Sequence, residues 1–218
     1  MPTLIAEKTV KLEFEDLARR VSLIGRPAKP PARAAGVHQS GILQYVAQKI
    51  GVLKPGESDE EDCAVYPLIW GLGQAWEEWI FSFYPDIDWQ PGEVTIDGIS
   101  GNADGVSLDM DCELDSVPWD PIQTVIEEAK STYKSTATGD EFVKDPKWWM
   151  WRMQGGAYCF LYGAEVVRWH VAHLRGNYRD FGPVYKQYVL RYSPVEIRQV
   201  WTMLISHKHL AAAEKGAA

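Results

Sequence analysis

Apolar residues recur with two different periods along this chain, and the switches between them mark out its elements. Residues 3–24 read as a helix, with Leu12, Leu17, Val21 and Ile24 set among charges. Gly25, Pro27, Pro30 and Pro31 end it, and the stretch that holds Arg26, Lys29 and Arg33 reads as a linker. Ser40 suits the N-cap of a helix over 41–50, which Gly51 closes. An acidic loop follows over 55–62. From 64 to 84, Leu68, Leu72, Trp76, Trp79 and Phe83 recur at steps of three and four, which predicts a long helix stopped by Pro85-Asp86.

Strand-like segments come next. Strands are predicted over 92–99, 103–114 and 122–130, with Gly101-Asn102 as the turn between the first two and 115–121 as the second turn. Residues 131–146 are polar and read as a loop. A helix over 147–162, a strand over 165–174, a strand over 186–192 and a helix over 194–213 complete the chain, the last one opened by Ser193-Pro194. This order predicts an α/β architecture with a mixed β-sheet flanked by helices. We divide it into an N-terminal helical segment and basic linker, 1–55, and a main domain, 56–218.

Composition sets bounds on this picture. At 218 residues and 46% hydrophobic, the chain is long and apolar enough to bury a sizeable core. It has no run of 18 apolar residues, and its first 20 residues lack the apolar region of a secretory signal. Cys63, Cys112 and Cys159 are too few and too scattered for a disulfide framework or a four-cysteine metal site, so a cytoplasmic, reducing setting is expected.

The charge distribution says more than the net charge of -8. Residues 56–129 hold 19 Asp and Glu and no Lys or Arg, whereas the segments on either side carry net charges of +5 and +6. Much of the acidic block reads as solvated surface. Its sharper reading is a cation site, because converging carboxylates need a positive charge to offset their repulsion. The basic flanks would then hold a polyanion against it.

The third predicted strand concentrates the chemistry. Side chains alternate across a strand, so in Glu127-Glu128-Ala129-Lys130 the Glu128 and Lys130 side chains share a face and Glu127 points away. Asp104 lies at the start of the neighbouring strand. Two carboxylates and an ammonium brought together this way suit a hard cation such as Mg²⁺ or Mn²⁺. Asp97 is a rival to Asp104. The alternating Asp109, Asp111, Glu113 and Asp115 mimic a calcium loop but place Leu114 where such a loop needs glycine, so one wet strand face explains them better. His170 and His173 are three apart on a strand and face opposite sides. Of Trp148, Trp149 and Trp151, at least two are expected in the core. No nucleotide-binding glycine motif and no nucleophile triad is present.

Asp104 followed by Glu128-Ala129-Lys130 resembles the PD-(D/E)XK nucleases, whose core is restriction-endonuclease-like. Gly73-Gln74-Ala75-Trp76-Glu77 resembles the GxxxE helix motif, and Gln154 with Tyr158 the QxxxY motif, of the RecB and λ-exonuclease branch. The likeness spans roughly residues 66–175. Ala103 stands where the family name has proline.

The resemblance implies a Mg²⁺- or Mn²⁺-dependent deoxyribonuclease, an exonuclease acting on DNA ends in phage-type recombination or repair. Glu77, Asp104, Glu128 and the Ala129 carbonyl would hold the metal, Lys130 would orient water and stabilise charge, and Gln154 would support water, Lys130 or substrate. Tyr158, Lys134, Lys144, Lys147 and Arg152 would contact DNA, and Arg33 with Ser40 would cradle a 5′-phosphate. No iron–sulfur cluster is expected with these cysteines. DNA is the implied partner, with a single-strand-annealing or recombination protein and a homo-oligomer as further implied associations, and no membrane. The alternatives are an endonuclease of the same fold and a non-catalytic DNA-binding or assembly module.

Overall fold

The computed structural model describes residues 1–11, 37–53, 66–109, 123–132, 136–174 and 184–216. Among these residues nine strands, β1 (Thr3–Lys11), β2 (Val37–His38), β3 (Asp88–Trp89), β4 (Val94–Ile96), β5 (Ile99–Gly101), β6 (Gly105–Asp109), β7 (Gln123–Thr132), β8 (Val166–His173) and β9 (Val184–Arg191), form two sheets. The helices are α1 (Gln39–Lys49), α2 (Tyr66–Phe83), α3 (Gly139–Lys144), α4 (Trp149–Tyr162) and α5 (Pro194–Gly216), with a 3₁₀ turn over Pro146–Trp148.

The larger sheet runs β1-β9-β8-β7-β6-β3, and β7 and β8 pair in parallel while its other pairs are antiparallel. This is the expected mixed sheet flanked by helices. The parallel pair requires a crossover, and α3 and α4 supply it between β7 and β8. A small sheet, β2-β5-β4, stands beside it.

Alternation along the strands sorts the two faces of the larger sheet. Ile126, Val167, Trp169, Val171, Tyr188 and Leu190 meet α1, α3, α4 and α5 in one core. The apolar side chains there contribute about 1.5–3 kcal/mol each on burial. On the other face, α2 lays Ala75, Trp76, Trp79 and Ile80 over Ala129, Ala172 and Tyr185. The Trp76 indole N–H donates to the His170 carbonyl at 3.0 Å, which fixes α2 across the sheet. Trp148 is wholly buried, and Trp149 and Trp151 pack partly buried against the same core.

Four expectations are corrected. Residues 3–11 form an edge strand paired with β9, not the start of a helix. Thr3, Ile5, Thr9 and Val10 are β-branched, and cross-strand pairing outweighs a weak helical pattern. Residues 12–24 lie outside the described residues. The polar stretch 131–146 contains α3, because Thr138 and Glu141 form a capping box. His38 rather than Ser40 is the N-cap of α1, since the extended backbone of β2 runs straight into the helix and the His38 ring accepts from the Ser40 N–H. The hairpin turn is Asp97-Gly98, not Gly101-Asn102: φ is +52° and +71° at the two residues, as a two-residue hairpin turn requires.

Candidate active site

β6 and β7 lie side by side with Gly105 opposite Glu127, so the residue before β6, Asp104, sits next to Glu128 and Ala129. The Ala129 N–H donates to Asp104 Oδ2 at 2.9 Å, and the Asp104 N–H donates to Glu128 Oε2 at 3.4 Å. The Lys130 ammonium donates to Glu128 Oε1 at 2.8 Å and stands 3.6 Å from Asp104 Oδ2. Alternation along β7 thus brings Glu128 and Lys130 to one face, as the sequence implied. Glu128 is wholly buried, while Asp104 and Lys130 are about one-fifth exposed, at 20% and 22%.

Three residues from α4 and α2 complete the group. Gln154 and Tyr158, four apart on α4, share a face. The Gln154 amide donates to the Tyr158 hydroxyl at 2.9 Å and to Glu128 Oε1 at 3.4 Å. Glu77 on α2 is half-buried and lies within the electrostatic reach of Asp104 and Lys130. Glu78 beside it is exposed.

The electrostatics follow from burial. Loss of solvent, then the Asp104 charge, raise the Glu128 carboxyl to about 8. The same two causes raise Glu77 to about 7. Burial alone would depress Lys130, but Asp104 and Glu128 outweigh it and hold the ammonium well above its usual range. Lys130 is therefore a fixed positive charge, not a free amine. Among the described residues no three acidic, His or Cys side chains form a ready cation cage, and Lys130 lies against both Asp104 and Glu128. The donor set itself is all oxygen and short of positive charge, which fits a hard divalent cation.

The other expected residues divide. Lys144 and Lys147 are exposed, paired with Asp140 at 2.9 Å and Asp145 at 3.1 Å. Ser40 is half-buried at the start of α1, its hydroxyl 2.8 Å from His38 Nδ1. Arg33 and Lys134 lie outside the described residues. Arg152 is not a surface group: it is 1% exposed, and one guanidinium nitrogen donates to the Phe142 carbonyl at 2.7 Å and the Asp145 carbonyl at 2.9 Å. Tyr158, expected at the surface, is likewise buried. Asp97 is far from this chemistry in role, since its carboxylate accepts from the Trp201 indole at 2.9 Å and anchors the hairpin on α5. His170 and His173 face opposite sides, His170 toward Glu127 and Tyr185 and His173 toward Tyr188.

Glu127 points away from Glu128, as alternation implied, but its burial and its partners there were not foreseen. It is wholly buried on the reverse face, where Ser107 at 2.6 Å, Arg168 at 2.8 Å and His170 at 2.8 Å surround its carboxylate. These contacts tie β6, β7 and β8 together directly behind Glu128. Alternation gives the face of Glu127 but not its partners Ser107, Arg168 and His170, which come from the neighbouring strands. Tyr162 was also missed, although it continues the spacing of Gln154 and Tyr158 by one more step of four.

No protein-family model matches the chain, and no curated protein does. Among solved structures, the chain is similar to an alkaline exonuclease, LHK-Exo, from Laribacter hongkongensis, at 15% identity over 84% of this chain and 91% of that one, with a TM-score of 0.48. It is also similar to a phage related exonuclease from Haemophilus somnus, at 9% identity over 97% and 98%, with a TM-score of 0.48. SSO0001 matches at 12% identity over 87% and 83%, with a TM-score of 0.42.

Proposed function

We propose that the protein is a metal-dependent deoxyribonuclease, an exonuclease that acts on DNA ends. One observation carries this reading: Asp104, Glu128 and Lys130 come together at the β6–β7 junction, with Gln154 bonded to Glu128 from α4. Their resemblance to the PD-(D/E)XK constellation adds to it. Glu77, Asp104, Glu128 and the Ala129 carbonyl would hold Mg²⁺ or Mn²⁺. Such a cation, when bound, activates water and neutralises charge on a phosphodiester.

The chain's own groups divide the remaining work. Lys130 carries a positive charge to the oxygens that become more negative as the phosphodiester breaks. Gln154, which also donates to the Tyr158 hydroxyl, would help Lys130 orient the Glu128 carboxylate. The exposed Lys144 and Lys147 would lie along the DNA backbone, and Arg33 with Ser40 would receive a 5′-phosphate. In this reading the work is done on DNA ends of recombination or repair intermediates.

The test is incubation with end-labelled linear DNA and closed circular DNA, in Mg²⁺, Mn²⁺ or EDTA. Linear DNA should be degraded with either cation and spared in EDTA, and 5′-phosphorylated ends should be degraded faster than 5′-hydroxyl ends. Rapid cutting of closed circles points instead to an endonuclease. Binding without cleavage of any form points to a non-catalytic DNA-binding module, and cleavage in EDTA would sink the metal mechanism.

A further inference from the structure

Gln154, Tyr158 and Tyr162 follow one another at steps of four on α4, so one helix face continues past the QxxxY pair. The Tyr162 hydroxyl donates to the Gly92 carbonyl at 2.7 Å and accepts from the Ala103 N–H at 3.2 Å. Both partners belong to backbone that touches Asp104. Ala103 directly precedes it and is wholly buried. The turn at 90–92 reaches its other side, where the Gln90 N–H donates to the Asp104 carbonyl at 2.8 Å.

That turn is held in an unfavourable shape. Gln90 has φ of +57°, although it carries a side chain and precedes Pro91, and Gly92 has φ of +101°. Such backbone persists only where its surroundings fix it. Tyr162 fixes it at Gly92 and, through the same oxygen, ties it to the residue before Asp104. The Tyr162 ring itself packs 6.4 Å from the Tyr158 ring, edge to face, so the packing and the hydroxyl bridge can be separated by mutation.

We propose that Tyr162 is a positioning residue for Asp104, its hydroxyl clamping the Ala103–Asp104 backbone to the 90–92 turn so that the Asp104 carboxylate is presented to a divalent cation. This rests on the reading of Asp104 and Glu128 as a cation site. Removing a hydrogen-bonding partner that orients a metal ligand weakens metal binding by roughly 10–100-fold.

The experiment is isothermal titration of the 218-residue chain with Mn²⁺ for wild type, Tyr162→Phe, Asp104→Asn and the double variant. Tyr162→Phe should bind Mn²⁺ about tenfold more weakly or worse. In the Asp104→Asn background the same change should add nothing, because no carboxylate remains to be placed. Equal affinity in wild type and Tyr162→Phe overturns the proposal, as does a loss that simply adds in the double variant. Wild type that binds no Mn²⁺ sinks the cation-site reading itself, a separate outcome. Amide hydrogen exchange of wild type gives an independent check should Tyr162→Phe fold poorly. The Ala103 N–H should be strongly protected, and exchange as fast as that of an exposed amide would overturn the bridge.

Discussion

Arg152→Met separates a structural arginine from a DNA-binding one. The Phe142 carbonyl sits in the last turn of α3, and the residue four positions on, Pro146, has no N–H to offer it. Arg152 supplies the missing donor at 2.7 Å. The Asp145 carbonyl is less dependent, since it also accepts from the Trp148 N–H at 3.1 Å. A hydrogen bond to a charged group contributes about 1.5–3 kcal/mol, and an orphaned buried carbonyl costs about 1–3 kcal/mol. Against this, Met removes a charge whose burial is unfavourable, as the lowering of Arg152 by desolvation shows. Taken together these effects predict a net loss of about 2–3 kcal/mol. For a chain of this size that is a fall in melting temperature of roughly 4–12 °C, at about 2–4 °C per kcal/mol. Circular dichroism would measure it, beside DNA binding at several salt concentrations. The folded fraction of the variant should bind DNA with an unchanged salt slope. An unchanged melting temperature together with a salt slope lower by about one would mean that Arg152 contacts phosphate, and the assignment would be wrong.

Three further outcomes are expected. Lys130→Ala should abolish DNA hydrolysis while the circular dichroism spectrum stays native, because the ammonium acts on charge that develops in the reaction; hydrolysis near the wild-type rate would remove Lys130 from the mechanism. In EDTA, Glu128→Gln should stabilise the protein on the order of 4 kcal/mol at pH 8 and by little at pH 4. The folded carboxyl titrates at about 8 against 4.5 unfolded, so the folded state binds more protons between those values and metal-free wild type loses stability as pH rises through them. Urea melts at the two pH values check this, and equal shifts at both would contradict it. Gly155→Ala should destabilise by about 1–3 kcal/mol, because a Cβ there would lie 2.6 Å from the Tyr192 hydroxyl and 3.0 Å from the Trp169 ring; a neutral thermal melt would show that α4 can shift to make room.

The candidate site residues were more legible than the elements around them. Alternation on β7 placed Glu128 and Lys130 together from spacing alone, and the step of four did the same for Gln154 and Tyr158. The mixed α/β sheet also followed from the order of elements. Other features depend on contacts that spacing does not encode. β1 is a strand because it pairs with β9, about 180 residues away in sequence. Arg152 looks like a surface cation in sequence and becomes a helix-end donor only because Pro146 leaves a carbonyl unpartnered. The Tyr162 bridge joins groups 59 and 70 residues apart, at a turn whose left-handed Gln90 no pattern announces. α3 was within reach, since Thr138 and Glu141 spell its capping box, but six residues leave little periodicity to read.

In the proposed function Asp104 and Glu128 would hold a divalent cation, and the melting temperature of wild type and Asp104→Asn with and without Mn²⁺ tests this. A cation that binds only the folded state stabilises it by about 2.7 kcal/mol at 100 times its dissociation constant. For this chain that is a rise of roughly 5–11 °C. That rise is expected in wild type and a much smaller one in Asp104→Asn, starting from an equal or higher metal-free value because one repelling charge is gone. Equal Mn²⁺-induced rises in the two proteins would place the cation elsewhere, away from Asp104 and Glu128.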